Sequence, residues 1–172
     1  MADDSVETSA QPATGGLISS WRDFEDRVGA LMALAATQAL DIVMVDPDFA
    51  RWPVGSRGVM AAFEQWALLS RATHCTLIAR DWRHFAPAHP RWAAWRALWG
   101  HRVRCLEAPE ELASQLLPTM LVGHLVGLRV QEPLRGQGSW TRDPVTLGAW
   151  ATDVDAISQR SSEALPPTTL GL

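Results

Sequence analysis

Lysine, tyrosine and asparagine do not occur in the 172 residues, and cysteine occurs twice. Each absence removes chemistry. Without lysine there is no Schiff base, no lysine general base and no Walker-type phosphate clamp. Without tyrosine there is no phenolic acid or nucleophile. Cys75 and Cys105 make no disulfide framework and no C-x-x-C pair, and no two histidines have H-E-x-x-H spacing. No metal and no cofactor is expected on this basis. No apolar run reaches the roughly 18 residues of a membrane span, so no membrane partner is expected either. Residues 1–18 begin with Asp3, Asp4 and Glu7 and contain no basic or apolar signal region. They read as a disordered leader, and a cytoplasmic setting is the default.

All fifteen basic residues are arginine, set against nineteen acids for a net charge of -4. The charge is segregated. Between Arg71 and Cys105 lie seven arginines (Arg71, Arg80, Arg83, Arg91, Arg96, Arg102, Arg104) and one acid, Asp81, a balance of +6. An arginine-rich centre of this kind could meet phosphate or nucleic acid. Pairing of those arginines with acids elsewhere in the fold is the favoured alternative, which makes nucleic acid the less favoured partner.

Apolar periodicity alternates between helix and strand. Ser20 begins a capping pattern, and Phe24, Val28, Leu31 and Ala35 recur at helical spacing to about Gln38. Residues 39–46 form a short apolar run ending in Asp-Pro, suited to a strand buried on both faces. Val59, Phe63 and Trp66 trace a second helix, and 74–81 a second strand. Pro90 and Gly100 bracket a third helix, followed by a strand over 101–107. Residues 119–130 are too long for one strand, and Gly123-His124 predicts a hairpin. Asp143 caps and Pro144 opens a last helix carrying Leu147, Trp150, Val154 and Ile157 on one face. The prediction is an α/β fold over 19–162, a mixed, mostly parallel sheet flanked by helices, with a tail over 163–172.

Ligands of α/β sheets bind beyond the carboxyl ends of the strands. Two strands end there in acid, giving Asp46 and Asp48 from one and Asp81 with His84 from the other. Together they could hold a hard cation or perform acid–base work as a metal-assisted hydrolase. The competing reading has these carboxylates capping loop amides or pairing with nearby arginines. Trp52, Trp82 and Arg83, in loops at the same edge, are candidates for ligand or partner contact. Gly55-Ser56-Arg57-Gly58 and Gly136-Gln137-Gly138-Ser139 could each nest an anion, but neither is a G-x-S-x-G elbow. Trp92, Trp95 and Trp99 share one helical face and read as packing; base-stacking aromatics normally project from a sheet or groove.

The stretches FEDRVGALMALA, DIVMVDPDFARWP, LIARDWRHF and the closing TTLGL, in this element order, resemble one half of a phospholipase-D-like domain. More narrowly, they resemble degenerate bacterial versions of that fold. Active members of that family use an H-x-K-x(4)-D motif, with the histidine as nucleophile and the lysine on phosphate. The five histidines here read HCT, HFA, HPR, HRV and HLV, so none can be that motif. The D-x-D at 46–48 also resembles haloacid-dehalogenase phosphatases, which need a lysine as well. The resemblance implies a retained fold without its chemistry, more a binding domain than an enzyme. Expected partners are a protein or a small anionic ligand, with a homo-oligomer allowed by the nine tryptophans.

Overall fold

The structure, a computed structural model, describes residues 13–165. Its centre is one eight-stranded sheet of β1 (Gly15–Ile18), β2 (Ile42–Val45), β3 (Cys75–Ala79), β4 (Val103–Glu107), β5 (Thr119–Val122), β6 (Val126–Glu132), β7 (Gln137–Thr141) and β8 (Ser162–Glu163). The order across the sheet is β1-β7-β6-β5-β2-β3-β4-β8. Only β2–β3 and β3–β4 pair in parallel. The other five pairings are antiparallel, so the expectation of a mostly parallel sheet is corrected to a mostly antiparallel one. The reason lies in the connections. Between neighbouring strands, helical crossovers join only β2 to β3 and β3 to β4, whereas β5, β6 and β7 follow one another through tight turns.

The helices are α1 (Trp21–Gln38), α2 (Arg57–Leu69), α3 (Phe85–Ala88), α4 (Pro90–Trp99) and α5 (Pro144–Arg160). Ser20 caps α1 by accepting from the Asp23 amide, and Asp143 caps α5 by accepting from Thr146 at 2.8 Å. The period-two alternation of the strands divides the core. Met44, Leu77, Cys105 and Leu128 face Phe24, Val28, Phe63 and Trp66 of α1 and α2. Val45, Ile78, Leu106 and Leu121 face Leu147, Trp150, Val154 and Ile157 of α5, the stripe read from the sequence.

Three strands escape sequence reading. Gly15–Ile18, assigned to the leader, pairs with β7 and buries Ile18. Gln137–Thr141, read as a Gly-rich loop, is β7. A Cβ at Gly138 would stand 2.1 Å from the Arg129 carbonyl oxygen, beside the register shift between Val130 and Glu132. Glycine is therefore required by the close approach of two backbones, not by a loop. Beyond the expected end at 162, Glu163 pairs with Leu106, and Leu165 packs on the core. Residues 1–12 and the TTLGL stretch lie outside the described residues.

Candidate functional site

The loops after β2 and β3 do meet at the carboxyl edge of the sheet. The Pro47 carbonyl accepts from both the Arg80 and Asp81 amides at 3.0 Å. The acidic side chains, however, part company. Asp46 is 4% exposed and turns inward. Its Oδ1 accepts from the Asp48 amide at 2.9 Å and the Phe49 amide at 2.6 Å, and its Oδ2 from Trp52 Nε1 at 2.8 Å. Those bonds close a tight loop in which Phe49 takes a left-handed φ of 58°. Burial pushes the Asp46 carboxyl up to about 6, against the opposing pull of its three donors.

Asp48 is exposed and accepts from the Ala50 amide at 2.9 Å. Asp81 faces outward, where the Arg83 guanidinium binds it at 2.6 Å and holds its carboxyl well below the usual carboxylate range. His84 is exposed at the start of α3 and makes no capping bond. Among the described residues, no group of three or more His, Cys, Asp or Glu is placed to hold a metal ion. The four predicted acid–base residues thus share an edge but form no common constellation.

Trp52 and Trp82, expected as ligand or partner contacts in loops at this sheet edge, are core residues at 3% and 6% exposure, and each borders a cavity. The indole N–H of Trp82 donates to the Leu106 carbonyl at 3.0 Å, and that of Trp52 to Asp46. With their polar handles satisfied inside, both rings join an edge-to-face cluster. Trp52 meets Phe24 at 5.0 Å and Phe49 at 5.3 Å, and Trp82 meets Phe85 at 5.1 Å. Arg83 does remain exposed. It borders a cavity of about 400 Å³ with Arg80, Asp81, Glu107 and Glu110. Arg80 bridges Glu107 and Glu110 and Arg83 pairs with Asp81, so the two arginines lining this cavity are both engaged by its three acids.

The +6 segment does not become a basic surface. Arg102 is buried, donating to the Ala67 and Thr73 carbonyls and stacking 4.3 Å over Trp66. Arg96 is buried on α4, while Arg80 and Arg83 are paired. Only Arg71, Arg91 and Arg104 of the seven stay exposed without an ion pair among the described residues. Trp92 and Trp95 are buried against Phe85 and Phe63, as their helical stripe implies. Both cysteines are free and buried, and burial pushes the Cys105 thiol up to about 12.

Two further cavities lie away from Asp46, Asp48, Asp81 and His84. One, of about 570 Å³, lies at the amino end of β2 and β3, with Leu40, Val43, Leu121 and Val154 making its apolar wall. The other, of about 290 Å³, is lined by Trp52, Pro53, Gly55, Ser56, Ala88, His89, Pro90 and Arg91. Its sequence signals were Trp52, expected as a contact residue, and the Gly55-Ser56 loop, expected as a possible anion nest. His89 gave none, because its Nε2 reaches the Phe49 carbonyl at 3.3 Å across forty residues of chain.

No protein-family model and no curated protein matches the chain. Solved structures do. TrmBL2, an archaeal chromatin protein whose structure shows a novel mode of DNA binding, superposes with a TM-score of 0.64 at 10% identity. That match covers 92% of this chain and 57% of the TrmBL2 chain, so the likeness spans little more than half of that protein. Nuc of Salmonella typhimurium, a phospholipase D family member, superposes with a TM-score of 0.56 at 10% identity, over 87% of this chain and 95% of its own. The fold is phospholipase-D-like. The phospholipase-D-like sheet thereby supplies the scaffold on which the carboxyl-edge loops sit. Among the described residues, no helix is long and apolar enough to cross a membrane.

Proposed function

We propose that this chain is a non-catalytic, cytoplasmic binding domain of phospholipase-D-like fold, whose ligand-facing side is the carboxyl edge of β2 and β3. The observation that carries this reading is Asp46. The acid best placed for chemistry is consumed by two amides and an indole of its own loop. Asp81 is likewise taken up by Arg83. No lysine exists to hold a phosphoryl group in the way the family's motif does. What remains is a rigid scaffold with pockets, suited to recognising a small anion or a protein. Incubation with a chromogenic phosphodiester and with plasmid DNA, with and without Mg²⁺, tests the reading. It predicts no turnover above the blank. Turnover abolished by Asp46→Asn or Asp81→Asn would establish the metal-assisted or acid–base hydrolase instead.

A second reading, nucleic-acid binding, is favoured by one observation, the likeness to a DNA-binding chromatin protein over 92% of this chain. It raises nucleic acid above its place in the sequence reading. Against it stand the net charge of -4 and the burial or pairing of four of the seven central arginines. A salt series decides. Phosphate contacts give affinity that falls steeply with ionic strength, and failure to bind duplex DNA at low salt removes this reading.

A further inference from the structure

We infer that the cavity between α5 and the amino ends of β2 and β3 is a binding site for a small amphipathic amine. Its apolar body lies on Val43 and Leu121, with its ammonium in the field of Asp41 and Asp155. The inference goes beyond the reading above, since this cavity lies at the opposite end of the strands from the carboxyl edge.

The cavity follows from how the two faces of the sheet are covered. Residues of α1, α2 and α4 pack on one face. On the other, α5 is joined by the short helical turn Glu110–Gln115, which follows β4 and serves the carboxyl end. The amino end is left to α5 alone. Val43 and Val45 project to the same side of β2, yet Val45 is 1% exposed while Val43 is only partly covered. In register, Val43 lies between Leu121 on β5 and Thr76 on β3. Over it stand Ala151, Val154 and Asp155, one face of α5 at helical spacing. Ala39, Ala72 and Gly123 close the remaining sides with almost no side chain, so the protein does not fill the space itself. The result is a cavity of about 570 Å³. Apolar cavities of roughly 300 to 1,000 Å³ with a few polar groups are the usual form of a small-molecule site.

The charges on the wall select the ligand. Asp41 and Asp155 line the cavity and no arginine does, in a chain that has fifteen. Neither carboxylate makes an ion pair among the described residues. Asp153, two residues earlier on α5, is by contrast taken up by Arg129 at 2.8 Å. The Asp41 Oδ1 accepts from the His74 amide at 2.7 Å, which orients the side chain and leaves Oδ2 open. His124, from the turn between β5 and β6, lines the same space. Even so, Asp41, His124 and Asp155 form no group placed to hold a metal ion among the described residues. Carboxylates that share an apolar wall without converging on a point suit a cation with a body. An ammonium brings three donors and one positive charge, and its hydrocarbon replaces water over Val43 and Leu121. A neutral ligand of the same shape gains only the second of these, and an anion meets two like charges.

Calorimetry of the full chain with octylammonium, octanol and octanoate, each kept below its aggregation limit, tests this. The three probes share a hydrocarbon chain and differ in charge. The expected result is one-to-one binding of octylammonium, octanol weaker by about tenfold, and no binding of octanoate. Asp155→Asn and Asp41→Asn remove a charge but keep the shape and, at Asp41, the acceptor for the His74 amide. Each should weaken octylammonium by at least about threefold and leave octanol unchanged. Ala151→Phe fills the space from α5 and should abolish both, with the melting transition kept in place; if that variant does not fold, the two Asn variants still decide. Equal affinity for the three probes, a preference for octanoate, or octylammonium binding untouched by either Asn substitution overturns the amine assignment. Absence of octylammonium binding, or binding that survives in folded Ala151→Phe, overturns the site. Any of these failures leaves the carboxyl-edge reading standing, because that reading is tested by turnover.

Discussion

At the scale of single residues, Asp46 shows how an acid at a strand end is drawn into its own loop. Folding takes its carboxyl out of water and raises it from 3.8 to about 6, so the folded chain binds that proton more tightly than the unfolded one. The sign follows from proton linkage. Its contribution to stability is fully present below 3.8 and is lost as the pH rises through about 6. The size of that loss is on the order of 3 kcal/mol. Urea denaturation at pH values on either side of this window should show wild type losing stability on the way up. Asp46→Asn, which cannot ionise, should lack that component of the slope; an identical slope in both proteins would contradict the assignment. Trp52→Phe keeps the ring but removes the donor to Asp46 Oδ2, and should cost about 1–3 kcal/mol in the same measurement. The sequence revealed that an acid ends this strand. It could not reveal which way the carboxylate turns, because that depends on the left-handed backbone of Phe49 and on an indole six residues away.

At the scale of elements, Arg102 ties three of them together. From just before β4 its guanidinium reaches Ala67 near the end of α2 and Thr73 before β3, with its face on Trp66. The α2 carbonyl supplies the negative end of a helix in place of a carboxylate. Arg102→Met should destabilise the fold by roughly 2–4 kcal/mol by stranding these acceptors. Arg102→Lys should recover little, since one ammonium cannot span a forked set; thermal melts of the two variants check this. In the sequence, Arg102 counted toward a basic cluster, and nothing local distinguished it from the exposed Arg104. The long helices were legible because capping and apolar period agreed, as in Asp143, Pro144 and the Leu147–Ile157 stripe. The strands β1 and β7 were not, because their glycines answer to a neighbouring strand, Gly15 and Gly16 to Trp140 and Gly138 to the Arg129 backbone. Gly138→Ala should accordingly split β7 from β6. Hydrogen exchange of β1 and β7 amides should then rise well before that of β2–β4.

At the scale of the molecule, the fold disperses what the sequence concentrates. The seven arginines between Arg71 and Cys105 end in the interior, in ion pairs with Asp81, Glu107 and Glu110, or at separate exposed points. The two acidic strand ends are joined through Pro47 but aim their carboxylates in opposite senses, inward for Asp46 and outward for Asp81. The central claim is that these carboxylates serve their own loops and leave the edge to bind rather than to catalyse. Side-chain ¹³C titration of the aspartates, with and without a millimolar excess of Mg²⁺, tests it most directly. The account predicts that Asp46 titrates near 6, that Asp81 stays ionised well below the usual carboxylate range, and that Mg²⁺ moves neither. A midpoint that falls when Mg²⁺ is added, as it must where metal and proton compete for one carboxylate, would contradict it.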